Sequence, residues 1–397
     1  MRYRIQRNLE NFVCTGGECE DTCCKGWRIG IDRESYRLYR GVKGRFGRRL
    51  LLGIDHKEHC FRLKGAACAF LNREGLCDIY KELGREGMCR ECRAYPRHVE
   101  DYGRLREVML SLSCPEAARV ILDDEERGAW REQKSGGKGR IEQKEEVDGL
   151  LLKNFEKLRE AIVCILKNRE AGIEQRLLVA LALAHDFQRH QNLLYGDGRP
   201  CSEQEQGEWL DRLTGKAFAW GGSEKFSRKM QSLYVKETEQ MIRIAAWMRL
   251  MEEWEPVLPE WNRRLEQLCR CLYHGQSVEE YARLRRSFEE RAADFEREWE
   301  NLALYFVNTY VLGAVYDGDV YGKVKLAVFS VRVIREWCLF RYKVTGRISK
   351  EQIVEAAFRY SREMENSDRN WELLEWELKE NPLFRLDGMM RVHCGQR

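Results

Sequence analysis

Ten of the sixteen cysteines fall within the first 114 residues of this 397-residue chain: Cys14, Cys19, Cys23, Cys24, Cys60, Cys68, Cys77, Cys89, Cys92 and Cys114. The remaining 283 residues hold six. Clustering of this kind needs a chemical cause, and the simplest is a metal held by thiolates. Thiolate is a soft ligand that selects zinc or iron–sulfur clusters over magnesium or calcium. Four thiolates satisfy either tetrahedral zinc or a cubane cluster, so ligand type alone leaves both open. Two features tilt the reading toward iron–sulfur. No histidine lies inside the run from Cys68 to Cys92, although His56, His59 and His98 are near, and the spacings differ from the paired short knuckles of structural zinc sites. The Cys-x3-Cys-x2-Cys signature of radical chemistry is absent, because Gly26 stands where its third cysteine would fall. A metal here could also do no more than staple a loop-rich module too irregular to fold alone.

The elements that must position these thiols are short. Trp27, Ile29 and Ile31 alternate with Arg28 and Gly30, a strand periodicity. Asp32 can cap a helix through Tyr39, with Gly41 as its stop. Glycines 41, 44, 47, 53 and 65 suggest irregular backbone over 41–67. Residues Glu107–Leu112 read as a buried strand, and Pro115 starts a helix over Glu116–Leu122. A charge run at 123–127 and the stretch Lys134-Ser-Gly-Gly-Lys-Gly139 mark a linker over 126–140. The chain therefore divides into a Cys-rich domain at 1–125 and a helical domain at 141–397.

Beyond the linker, apolar residues recur at helical spacing, as in Leu151, Phe155, Leu158, Ile162 and Ile165. Helices are expected over 174–195, 203–214, 224–254, 260–273, 278–312, 319–343 and 349–378. The fold class is mainly α: an irregular metal-binding N-terminal domain with a few short strands, then an all-α domain. His185 and His190 read as packed or surface residues. Cys269 and Cys271 cannot share a helix face, and Cys164, Cys201, Cys338 and Cys394 stand isolated.

Formal net charge is only +4, from 69 basic and 65 acidic residues, which gives no global argument for nucleic-acid binding. No apolar run approaches the roughly 18 residues needed to span a membrane, and no signal peptide is visible. A cytoplasmic protein is expected, where reducing conditions favour metal binding or redox chemistry over disulfides.

The stretch Cys19-Glu-Asp-Thr-Cys-Cys-Lys-Gly-Trp27 with Ile29-Gly-Ile-Asp32 resembles the bacterial flagellin lysine N-methylase family. So do Cys68-Ala-Phe-Leu with Gly75-Leu-Cys-Asp-Ile79, Cys92-Arg-Ala-Tyr-Pro-Arg97 and Leu112-Ser-Cys-Pro-Glu-Ala-Ala-Arg119. Fainter echoes lie at 301–307 and 361–366, so the resemblance spans nearly the whole chain but is specific over roughly 14–119. It implies Cys24, Cys68, Cys77 and Cys92 as metal ligands. Cys19, Cys23 or Cys114 could replace one of them, and Cys89 is a local extra. Ala69 stands where the family usually has proline, a change expected to leave ligation intact.

The reaction implied is methyl transfer from S-adenosylmethionine to lysine side chains of flagellin, in a protein carrying an iron–sulfur cluster, 4Fe–4S, with zinc as the alternative. Neither nucleic acid nor membrane is an implied partner. The lysine must lose a proton before it attacks, and Tyr95, Glu363 and Glu365 are acidic or tyrosyl side chains that could assist. No glycine-rich dinucleotide-type fingerprint is visible, so the donor site and the catalytic residues stay unassigned. A non-enzymatic metal-stapled adaptor, or another metal or redox enzyme on the same cysteine scaffold, are the rival readings.

Overall fold

The computed structural model describes residues 1–134, 147–196, 203–221 and 235–393, with residues 228 and 232. The chain opens in a strand, β1 (Arg2–Gln6), and leaves it for a cysteine module of short elements. These are α1 (Arg33–Gly41), α2 (Gly44–Leu52), the two-residue strands β2 (Ile54–Asp55), β3 (Cys60–Phe61), β4 (Leu63–Lys64) and β5 (Ala67–Cys68), then α3 (Asp78–Leu83) and α4 (Arg90–Ala94). The chain then returns to the first sheet through β6 (Arg97–Asp101) and β7 (Leu105–Leu110). After α5 (Pro115–Leu122) it adds β8 (Trp130–Lys134). The sheet order is β6-β7-β1-β8, with β1 parallel to β7 and antiparallel to β8. The cysteine module is thus an excursion between two strands of one sheet.

Among the described residues that follow, the regular elements are helices: α6 (Gly149–Lys167), α7 (Ile173–Gly196), α8 (Glu203–Gly221), α9 (Glu237–Leu250), α10 (Trp261–Tyr273), α11 (Val278–Ala292), α12 (Glu296–Tyr310), α13 (Ala314–Asp317), α14 (Val320–Thr345), α15 (Lys350–Glu365), α16 (Asp368–Glu380) and α17 (Leu386–His393). A helical C-terminal region following a few short strands is the expected class. No helix among the described residues is long and apolar enough to cross a membrane.

Two hydrophobic cores form, and they divide the chain differently from the linker reading. The smaller holds Ile29, Ile31, Tyr39, Leu50, Ile54, Phe61, Phe70 and Ile79. The larger joins Leu105, Leu110, Leu112, Ala118 and Leu122 to the helices, although the sequence places those residues before the linker. The reason is packing: α5 lies against α12 and α15, and buried Glu107 on β7 accepts from Arg159 of α6 at 2.7 Å. Residues 130–134 of the expected linker are paired in the sheet, while 135–140 lie outside the described residues.

Other expectations need correction. The alternation at Trp27–Ile31 buries Ile29 and Ile31, but only an isolated bridge, Gly30 to Cys60, pairs there. Residues 41–67 are less irregular than their glycines suggest. Gly47 sits inside α2 because a Cβ there would lie 1.9 Å from the Val42 carbonyl oxygen, so glycine marks close approach rather than loop. Asp32 does cap α1, accepting from Glu34 and Ser35, but the helix runs on to Gly41. The strand near 107–112 begins at Leu105 and ends at Leu110. The helices expected at 278–312 and 349–378 are each broken, at Ala293–Phe295 and at Ser367, which caps α16 through Asn370. Of 224–254, residues 235–254 are continuously described, and 237–253 are helical as α9 followed by a 3-10 turn.

Candidate functional site: a thiol-lined cavity

Six cysteines, Cys23, Cys24, Cys68, Cys77, Cys89 and Cys92, line one cavity in the cysteine module. Trp27, Ile29, Tyr39, Phe61, Ile79, Met88 and Tyr95 complete its wall. Local backbone bonds bring distant segments together. The Cys68 amide donates to the Cys24 carbonyl at 2.8 Å, and Gly26 donates to Ala66 at 2.7 Å. A bridge from Leu71 to Cys77 closes the loop between the second and third segments. The Arg90 amide donates to Asp32 Oδ2 at 2.8 Å, tying the start of α4 to the start of α1. That hydrogen bond is one reason the Asp32 carboxyl is held down to about 2, against the opposing effect of burial.

Cys77 and Cys89 occupy the positions that begin α3 and α4, and Cys92 lies in the first turn of α4. Free amides at helix starts favour negative charge on sulfur. Without a metal, burial and sulfur–sulfur contact oppose that. The Cys23 sulfur pushes Cys24 up to about 12. Cys24 in turn raises Cys77, and burial raises Cys68 to about 11. Within the Cys89–Cys92 pair, Cys92 keeps the shared proton and Cys89 is lowered by the hydrogen bond it receives.

The free space is ≈ 30 Å³, room for about two waters. Among the described residues no three His, Cys, Asp or Glu side chains are gathered as a preformed metal cage. The thiols stand around the cavity and partly bond to each other. A thiophilic metal or cluster would bind there by displacing thiol protons and turning the sulfurs inward. The donor set, soft sulfur with an apolar surround and helix-start amides, has the chemistry for such a group.

All four sequence-derived ligands, Cys24, Cys68, Cys77 and Cys92, therefore line the same cavity. Cys23 joins them, as does Cys89, which the sequence treats as a local extra but which is fully buried. Cys14, Cys19, Cys60 and Cys114 are not among the lining residues. Cys201 and Cys394 lie outside the described residues.

The cavity wall continues into a polar chain that the sequence did not disclose as a unit. Tyr95 Oη lies 3.1 Å from Ser113 Oγ, which lies 2.7 Å from Ser111 Oγ. Ser111 donates to Glu365 Oε2 at 2.8 Å, and Tyr305 donates to Glu365 Oε1 at 2.7 Å. Burial raises the Glu365 carboxyl above the usual range. Arg362 braces the same junction: it donates to Asp21 Oδ1 at 2.6 Å and to the Ser113 carbonyl at 3.1 Å. Glu363, by contrast, faces a separate cleft with Trp261, Trp337 and Tyr360. There it accepts from the Val257 and Leu258 amides, yet burial pushes it up to about 8. His185 pairs with Asp186 and His190 stacks on Trp209, as packed or surface histidines do.

A family model described as the FliB lysine N-methylase C-terminal domain matches residues 159–392. The chain is also similar to a flagellar biosynthetic protein, FliU, of Salmonella muenchen, at 31% identity over 136 residues, covering 32% of this chain and 80% of that protein. It is 30% identical over 134 residues to lysine-N-methylases of Salmonella choleraesuis and Salmonella typhimurium, covering 32% of this chain. Those matches span 33% of each lysine-N-methylase. No solved structure matches.

Proposed function

Since this chain belongs to the FliB lysine N-methylase family, we propose that it transfers a methyl group from S-adenosylmethionine to lysine side chains of flagellin. We further propose that an iron–sulfur cluster is held by Cys24, Cys68, Cys77 and Cys92. The observation that supports the cluster is the gathering of six cysteines on one cavity. Six sulfurs supply the four that a cubane cluster or a tetrahedral zinc ion needs, and the donor set on that cavity contains no histidine. When bound, the group would supply a Lewis-acidic, thiolate-rich centre beside Tyr95.

In the transfer, the lysine nitrogen forms a bond to the methyl carbon as the bond from carbon to the sulfonium sulfur breaks. The ammonium must first give up a proton. Tyr95 can take that proton as it passes its own to Ser113. The relay continues through Ser111 to the Glu365 carboxylate. Burial raises the Glu365 carboxyl above the usual range, which favours the protonated form at the end of the relay. Trp27, packed 5.7 Å from the Tyr95 ring, helps to exclude water from that wall.

The test is anaerobic purification, an absorption spectrum and metal analysis, then incubation with labelled S-adenosylmethionine and flagellin. Label on flagellin lysines is expected, with iron and sulfide in the protein. Absence of label refutes methyl transfer. A colourless zinc protein removes the cluster and leaves methyl transfer standing.

A further inference from the structure

The α1–α2 hairpin presents two unlike faces. Its inner face supplies Tyr39 to the thiol cavity and Leu50 to the module core. Its outer face carries Arg33, Arg37, Arg40, Lys43, Arg45 and Arg48, all exposed. Between residues 33 and 54 the only acidic residue is Glu34. Arg49, the seventh cation, is tied to Asp78 at 2.5 Å. None of the other six makes an ion pair with a described residue.

Six uncompensated cations in sixteen residues exceed the net charge of the whole chain, +4. Arg33, Arg37 and Arg40 recur at four- and three-residue steps and so share one helix face. Neighbours on that face are about 6 Å apart along the axis, inside the Debye length of about 8 Å at physiological salt. They repel one another, and no described side chain forms an ion pair with them. Apolar side chains are interleaved with them: Leu38 is 46% exposed and Leu52 is 79% exposed.

We propose that this hairpin face docks an acidic, leucine- or aromatic-bearing segment of the protein substrate, holding it on the outer wall of the thiol cavity. The inference rests on the reading that the substrate is a protein. The exposed leucines favour a polypeptide over nucleic acid, because a phosphate backbone offers them nothing to pack against, whereas an amphipathic acidic peptide satisfies both features. Tyr39 and the flanking Arg37 and Arg40 lie on the same two turns of α1, so a segment held outside is registered to the cavity inside.

The probe is a fluorescently labelled twelve-residue peptide of alternating Glu and Leu, titrated by anisotropy into the metal-loaded full chain. The comparison ligand is a single-stranded oligonucleotide of equal charge. The peptide is expected to bind more tightly than the oligonucleotide, and to weaken about tenfold between 50 and 200 mM salt. Arg37→Glu/Arg40→Glu/Arg48→Glu should abolish peptide binding, and the milder Arg37→Gln/Arg40→Gln/Arg48→Gln should lose part of it, with metal content and circular dichroism unchanged. Equal peptide binding by wild type and the Glu variant overturns the proposal, as does tighter binding of the oligonucleotide. Peptide binding needs no methyl transfer. If the peptide binds as expected but flagellin takes no label, the catalytic reading fails and the surface stands. If flagellin is labelled but the peptide does not bind, the surface fails alone.

Discussion

Gly26 is where the cysteine module meets the helical body, and replacing it with alanine tests that junction. Its φ is +93°, a region that costs residues with a Cβ about 1–2 kcal/mol. A Cβ at Gly26 would lie 2.6 Å from the Val257 carbonyl oxygen and 2.9 Å from Val257 Cγ1. The Val257 backbone cannot swing away cheaply, because its amide donates to Glu363 at 2.7 Å. Overpacking of this kind costs about 1–3 kcal/mol. Together the two terms give Gly26→Ala a loss of about 2–5 kcal/mol. Urea unfolding followed by tryptophan fluorescence would read it, with limited proteolysis to show whether the cysteine module undocks first. Gly30→Ala is the control: four residues on, its Cβ would meet nothing within 4 Å and its φ is not positive, so a change below about 0.5 kcal/mol is expected. If the two variants unfold alike, neither the strain at Gly26 nor its close approach to Val257 holds the junction.

Cys77→Ala should lower bound metal, read as iron or zinc per chain, and reduce the protection of 60–92 from proteolysis; full metal content would remove Cys77 from the ligand set. Arg362→Met should cost about 1–3 kcal/mol in chemical denaturation, because it leaves the buried Asp21 carboxylate only the longer pair to Arg359 at 3.6 Å and unpairs the Ser113 carbonyl; a loss under about 0.5 kcal/mol would mean that Arg359 and water take over the contacts. For Glu363 the folded carboxyl is raised from 4.5 to about 8, so between those values the folded state holds a proton that the unfolded state has lost. Stability should therefore fall as pH rises from about 5 to 8, by about 1–3 kcal/mol more in the wild type than in Glu363→Gln; parallel pH profiles would show that the amides of Val257 and Leu258 keep this carboxyl ionised.

The mainly helical class was legible in the sequence, because it rests on residue type and local spacing; that Cys24, Cys68, Cys77 and Cys92 belong together was implied by the family resemblance, and they do line one cavity. Sulfur selects soft metals wherever the chain places it, and an amphipathic stripe writes its own period. The Asp32 cap was legible for the same reason, since it acts two or three residues away. Asn366–Ser367, where the long C-terminal helix breaks, was not separated from its flanks because helical periodicity resumes on both sides.

What only the tertiary structure decided is long-range. Cys89 reads as an extra along the chain, yet the bond from the Arg90 amide to Asp32, 58 residues away, carries it into the cavity. Glu363 and Glu365 are two residues apart and look equivalent in sequence. On α15 they point to different neighbours, one into a cleft against Val257 and Leu258, the other onto Ser111 and Tyr305. The core boundary moved for the same reason. Burial is a property of what packs against a residue, so strands β1 and β7, paired residue to residue across 103 positions, decide together which body the first 134 residues belong to. Residue types determined the chemistry available to this protein; the return of the chain to its first strand determined which of those residues can act together.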